Sequence, residues 1–163
     1  MPQSSIKHIM VYLDGSETCI AAAQYAVFLA KSFEAKLTGL YVVDQRILDE
    51  LVRAKIFFRE EALDYEYDLE QDGKRYLNHA RELARAKGIE MNVVLLKGEV
   101  HTLVLDKITE LRVDMLVFNE FEEFTSRKEA SYDEKERILR RAKIPIVVVT
   151  DETKARESYD LMP

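Results

Sequence analysis

Apolar residues recur along the chain in two alternating rhythms. Ile6 to Leu13 (IKHIMVYL) is an apolar, β-branched run that stops at Asp14-Gly15-Ser16, residues suited to a turn and a helix N-cap, and it predicts a buried strand. From Glu17 to about Phe33 the spacing changes. Ala22, Ala26, Leu29 and Phe33 fall at helical intervals, and Ile20, Ala23, Val27 and Ala30 widen that face. Lys36 to Val43 (KLTGLYVV) is again β-rich and ends at Asp44. The first 44 residues therefore have the order and length of a strand-helix-strand crossover, which makes the two strands parallel.

The 46 residues from Asp44 through Ile89 are helical in composition and contain no proline. Tyr76, Leu77, Ala80, Leu83 and Ala84 form one face of a helix stopped by Lys87-Gly88. Upstream, Ile47 to about Asp64 carries Leu48, Leu51, Val52 and Ile56 and reads either as a separate helix or as an ordered loop. Met91 to Leu96 (MNVVLL) predicts the third strand, closed by Lys97-Gly98. Val100, Leu103, Val104, Ile108 and Leu111 predict a helix, and Asp114 to Phe118 a short fourth strand. After a polar stretch, Ile138, Leu139 and Ala142 lie on a basic helix ended by Lys143, and Pro145 to Val149 is the last strand. The tail from Asp151 to Pro163 is charged and is expected to fray. Strands apolar along their whole length, alternating with helices, imply an α/β fold: a parallel sheet with helices on both faces. One domain over 1–163 is expected, its core spanning about 5–150.

Composition narrows the function. A net charge of -6 with no block of basic residues argues against nucleic acid as a partner. No apolar run approaches the roughly 20 residues needed to cross a bilayer. The amino terminus, MPQSSIKHIM, has no signal pattern, so no membrane association and a cytoplasmic location are expected. Cys19 is the one cysteine, which excludes an internal disulfide and metal sites built on clustered thiolates. His8, His79 and His101 lie on different elements without ligand spacing, so no metal is expected.

In open parallel sheets ligands bind beyond the carboxyl ends of the strands. The candidates are Asp14-Gly15-Ser16-Glu17, Val42-Val43-Asp44, Lys97-Gly98-Glu99 and the connection from Asn119 to Glu136. Asp14 either caps the following helix with Ser16, the commoner role, or hydrogen-bonds a ribose or base edge. Gly98 either lets a ligand approach or serves a turn. Cys19 reads as a small core hydrophobe in preference to an activated thiol. No catalytic dyad emerges. Neither phosphate-binding pattern, G-x-x-x-x-G-K-[ST] or G-x-G-x-x-G, occurs among the five glycines, and none of these lies beyond Gly98.

Four segments in the right order resemble the universal stress protein family over roughly Ser5 to Thr150. They are the opening IKHIMVYLDGSE, LYVVD at the end of the second strand, GEVHTLVLDKI before VDMLVF, and the closing ERILRRAKIPIVVV. The resemblance implies five parallel strands in the order 3-2-1-4-5, as in adenine nucleotide alpha hydrolases, and a homodimer. Members of the family that bind ATP resemble one another in a G-x2-G-x9-G-[ST] motif after the fourth strand. Run back from Arg137-Ile138-Leu139 without gaps, its positions fall on Asn119, Glu122, Tyr132 and Asp133, and all four depart from it. The positions matching the family's adenine and ribose contacts, Asp14 and Val42, are retained. With Gly98 and Asn119 they make up the vestigial nucleotide-binding candidates.

The departures have a physical consequence. Phosphate loops work because bare backbone N–H groups approach the oxygens closely. Glu122, Tyr132 and Asp133 would instead bring bulk and negative charge. A carboxylate about 5 Å from one phosphate charge, at an effective dielectric of about 20, costs about 3 kcal/mol. From Asn119 to Arg137 seven acids face four bases, a net of -3, although Arg127 and Lys128 could reach a phosphate. A plain solvated surface loop is the competing reading of this stretch. If the last strand lies at the sheet edge, Ile146, Val147, Val148 and Val149 expose unpaired backbone, and pairing with a second copy about a two-fold axis removes that liability. Coverage of the edge by the tail is the alternative.

The expected function is therefore that of a non-enzymatic, homodimeric stress-response or regulatory protein with a degenerate nucleotide site, no cofactor and a protein partner not identifiable from sequence. The alternative is a switch that binds ATP or AMP through Asp14 and Val42. A related hydrolase is disfavoured, since no S-G-G-x-D-S loop is present and Asp14-Gly15-Ser16 echoes it only superficially.

Overall fold

The computed structural model describes residues 5–120 and 126–163, with side chains described outside 126–132. Five strands are interleaved with six helices: β1 His8–Leu13, α1 Cys19–Phe33, β2 Lys36–Asp44, α2 Gln45–Arg53, α3 Arg59–Ala86, β3 Met91–Gly98, α4 Val100–Glu110, β4 Met115–Asn119, α5 Ser126–Arg141, β5 Ile146–Val149 and α6 Glu152–Asp160. All four strand pairings are parallel, and the order is β3-β2-β1-β4-β5.

Strand periodicity divides the core into two layers. Ile9, Val11 and Leu13 of β1 face the layer built with α1, α3 and α6, while Met10 and Tyr12 face the layer built with α4 and α5. In β2 every residue from Leu37 to Val43 is buried, because helices cover both faces. Gly73 lets α3 lie close to the sheet: a Cβ there would stand 2.5 Å from Tyr41 Cδ1 and 2.7 Å from Leu95 Cδ1. No helix among the described residues is long and apolar enough to cross a membrane.

Three sequence expectations change. The ambiguous stretch from Ile47 to Asp64 is α2, a turn, and the start of α3, which runs for 28 residues. The polar connection after β4 is helical from Ser126 onward. The tail does not fray but forms α6, which buries Ala155 and Tyr159 in the same core layer as α1. Tyr159 Oη donates to the Leu83 carbonyl at 2.7 Å, and Lys31 and Lys87 donate to the Pro163 and Met162 carbonyls at 2.8 Å each.

Candidate functional site

The carboxyl ends of β1, β2 and β4 converge on a cluster of buried charge. β1 ends in a turn at Gly15, whose φ of 79° suits glycine. Asp14 does not cap α1, which begins after Thr18 without a side-chain cap. Its Oδ1 accepts from the Ser16 N–H at 2.9 Å and from Ser16 Oγ at 2.5 Å, closing a local Asx turn. Its Oδ2 accepts from Lys135 Nζ at 2.7 Å.

Both side chains of that ion pair are buried, Lys135 at 1% exposure and Asp14 at 5%. Lys135 Nζ also donates to Asn119 Oδ1 at 3.2 Å and to the Glu120 carbonyl at 3.3 Å, which uses all three of its protons. Asn119 in turn donates from Nδ2 to Thr18 Oγ1 at 2.6 Å and Ser16 Oγ at 2.9 Å. Burial pushes the Asp14 carboxyl up, but the Lys135 charge and the hydrogen bonds from Lys135 and Ser16 outweigh it and hold Asp14 below the usual carboxylate range.

The preceding residue, Glu134, is equally buried and satisfied by a different set. Its Oε2 accepts from the His101 backbone N–H at 2.6 Å, in the first turn of α4, and lies 2.8 Å from His101 Nδ1. Its Oε1 accepts from Arg46 Nη2 at 2.6 Å and Arg137 Nη1 at 3.3 Å. A helix N-terminus, two guanidinium groups and an imidazole form an anion site, and the chain's own carboxylate sits in it.

Between these two networks lies a cavity of about 110 Å³, lined by Tyr12, Asp14, Tyr41, Val42, Asp44 and Glu134 among others. Asp44 caps α2 by accepting from the Arg46 and Ile47 N–H groups. Burial, reinforced by the nearby Glu134, pushes its carboxyl above the usual range.

Of the residues singled out from sequence, Asp14 and Val42 line this cavity, and Asn119 joins Asp14 through Lys135. Gly98 ends β3 at φ 151°, where a Cβ would stand 2.9 Å from Leu103 Cδ1, so close packing on α4 accounts for it. Asp133 is exposed; Glu122 and the side chains of Tyr132, Arg127 and Lys128 lie outside the described residues. Cys19 is buried, and desolvation together with the Asp14 charge pushes its thiol up to about 12. Among the described residues no group of three or more His, Cys, Asp or Glu could hold a metal ion. Sequence reasoning missed Glu134, Lys135, Arg46 and His101. The available signal was the helical face of Ile138, which is fully buried, because Glu134 and Lys135 precede it by four and three residues.

The universal stress protein family model matches residues 5–150. The chain belongs to the universal stress protein family. The universal stress protein MJ0531 of Methanocaldococcus jannaschii is 23% identical over 143 residues, covering 88% of this chain and 81% of that protein. Among solved structures, one from the family in Burkholderia pseudomallei is similar with a TM-score of 0.69 at 23% identity, covering 92% of this chain and 100% of that one. A universal stress protein from Archaeoglobus fulgidus in complex with dAMP has a TM-score of 0.60 at 15% identity, covering 88% of this chain and 98% of that one. At these identities the structural likeness is one of fold.

Proposed function

We propose that this universal stress protein is a non-enzymatic, cytoplasmic, homodimeric regulator whose nucleotide site is degenerate. The observation that carries the reading is the Lys135–Asp14 pair: the carboxylate expected to meet a ribose or base is already engaged by a buried ammonium at 2.7 Å. Glu134 strengthens it by filling the anion site at the start of α4 with an internal carboxylate. The remaining cavity of about 110 Å³ falls well short of the roughly 300 Å³ at which pockets for drug-sized ligands begin. In sequence, Glu122, Tyr132 and Asp133 replace the glycine and hydroxyl residues in which the family's ATP-binding members resemble one another, although Asp133 itself is exposed. The dimer would form by antiparallel pairing of β5, which among the described residues has β4 as its one partner in the sheet.

The second reading is a switch that binds ATP or AMP. It is favoured by one observation, that Asp14 and Val42 line the same cavity. Isothermal titration with ATP and with AMP decides between the two. No measurable binding is expected, and micromolar affinity for either nucleotide would overturn the first reading in favour of the switch.

A further inference from the structure

The cavity of about 110 Å³ at the carboxyl ends of β1 and β2 has a one-sided lining. Three of its side chains are acids, Asp14, Asp44 and Glu134, and none is Lys, Arg or His. Two of the acids are met from behind, Asp14 by Lys135 and Glu134 by Arg46 and Arg137. Asp44 is not. Its Oδ1 caps α2 by accepting the Arg46 and Ile47 N–H groups at 3.1 and 3.4 Å, while among the described residues its Oδ2 accepts no hydrogen bond and the carboxylate makes no ion pair. Burial, reinforced by the Glu134 charge, outweighs the nearby Arg46 and pushes this carboxyl up, as expected of a half-buried anion short of counter-charge.

A second unpartnered oxygen faces the same space. Tyr12 is only 4% exposed and lines the cavity, yet its hydroxyl makes no hydrogen bond among the described residues. It is not sealed among apolar atoms, because the one side-chain polar atom among those residues that is both enclosed and unpartnered is Arg81 Nε. The Tyr12 oxygen therefore keeps open space beside it. Burial, then the charges of Asp14 and Asp44, push its phenol well above the usual range, so the hydroxyl stays neutral and stands within reach of both acids' fields. A buried hydroxyl and a buried carboxylate oxygen left unpaired are both costly, and a positively charged N–H donor satisfies the two together.

We propose that this cavity binds a short primary alkylammonium ion, which donates to Asp44 Oδ2 and Tyr12 Oη and lays its carbon tail against Val42, Ile47 and Leu69. The ligand class rests on the reading of a degenerate nucleotide site: the space left once Lys135 holds Asp14 is short for a nucleotide but ample for a small ion. An engineered cavity of about 150 Å³ takes up benzene, so this one admits about four or five heavy atoms. Asp44 selects charge over a neutral alcohol, and the tyrosine rings in the lining favour a cation. A quaternary ammonium has no N–H to give to either oxygen. A bare metal ion is the poorer occupant, since among the described residues no three carboxylates, imidazoles or thiols gather to hold one.

The test titrates the isotope-labelled full chain with n-propylammonium chloride, using propan-1-ol and tetramethylammonium chloride as controls. The amide signals of Val43, Asp44 and Val100 should shift saturably with n-propylammonium, and each control should bind at least about tenfold more weakly. Tyr12→Phe removes only the hydroxyl, and Asp44→Asn removes the charge but keeps the α2 cap, because Asn caps as well as Asp. Each variant should weaken binding about tenfold. No saturable shift, which would leave water as the occupant, equal affinity for propan-1-ol or tetramethylammonium, or variants that bind as the parent does would each overturn the proposal. Tighter binding of an end-blocked Gly-Lys-Gly peptide than of n-propylammonium would overturn it in favour of a lysine side chain from another protein. AMP titrated in parallel separates the two readings: micromolar AMP binding overturns the degenerate site, whereas failure of both AMP and n-propylammonium to bind overturns the ammonium site alone.

Discussion

Replacing Lys135 by methionine tests the reading of the site most directly. Methionine keeps much of the volume and flexibility of lysine, so little of the effect should come from a cavity. At 2.7 Å and an effective dielectric of about 20, the attraction between Lys135 and Asp14 is about 6 kcal/mol, part of which offsets the cost of burying both charges. Removing one partner leaves Asp14 buried and uncompensated and strips Asn119 Oδ1 and the Glu120 carbonyl of a donor. The expected loss is about 3–5 kcal/mol near neutral pH, read from urea unfolding.

The pH dependence sharpens this prediction. In the parent protein Asp14 is held below the usual range, so its contribution is present above the unfolded carboxyl value of about 4 and disappears only as the pH falls through the still lower folded value. In Lys135→Met, burial acts without its main opponent and raises the Asp14 carboxyl above its unfolded value. The variant should then gain stability relative to the parent as the pH is lowered from about 7 to about 5, because the folded state takes up the proton first. A loss of under about 1 kcal/mol, as for a surface pair, or a gap independent of pH would refute the claim that this buried pair organises the site.

Three further predictions rest on separate observations. Val148→Lys, on the half-buried edge strand β5, should give monomer or aggregate by light scattering, and an unchanged dimer would remove the edge-pairing argument. Gly73→Ala should cost about 1–3 kcal/mol in thermal or chemical unfolding, since its Cβ would press on Tyr41 and Leu95; a neutral effect would mean that α3 can move away freely. Cys19, buried and with its thiol pushed up to about 12, should react with a disulfide reagent at mildly alkaline pH only as fast as the protein unfolds, and rapid reaction of the native protein would contradict its burial.

How far the fold was legible depended on how completely each element is buried. β1 and β2 are apolar along nearly their whole length because helices cover both faces, so continuous runs marked them and their boundaries. α2 and the first half of α3 gave a weaker signal. Leu48 is the one buried residue of α2, and Ala62 alone is buried before Gly73 in α3, so solvent-facing charge dominates the pattern. α6 was missed for the same reason. It attaches through Ala155 and Tyr159, one turn apart, in a segment whose other residues are almost all polar, and a reading weighted by charge takes that for a frayed end.

The site was legible in its positions but not in its chemistry. Counting charge between Asn119 and Arg137 gives a net of -3 and suggests simple repulsion of phosphate, yet the sum conceals where each charge points. Successive residues on a helix are about 100° apart, so Glu134 and Lys135 cannot share a pocket. Lys135 turns toward Asp14 and Asn119, and Glu134 toward Arg46 and the start of α4. Each buried charge thereby finds counter-charge on a different element, which is the condition for burying either of them. On the proposed reading, a nucleotide approaching this end of the sheet competes with the Lys135 ammonium for the Asp14 carboxylate. Acidity alone could be screened by salt or by a bound cation, whereas a buried, hydrogen-bonded ion pair is screened little, so the proposed exclusion of nucleotide rests more on the engagement of Asp14 than on the net charge of the connection.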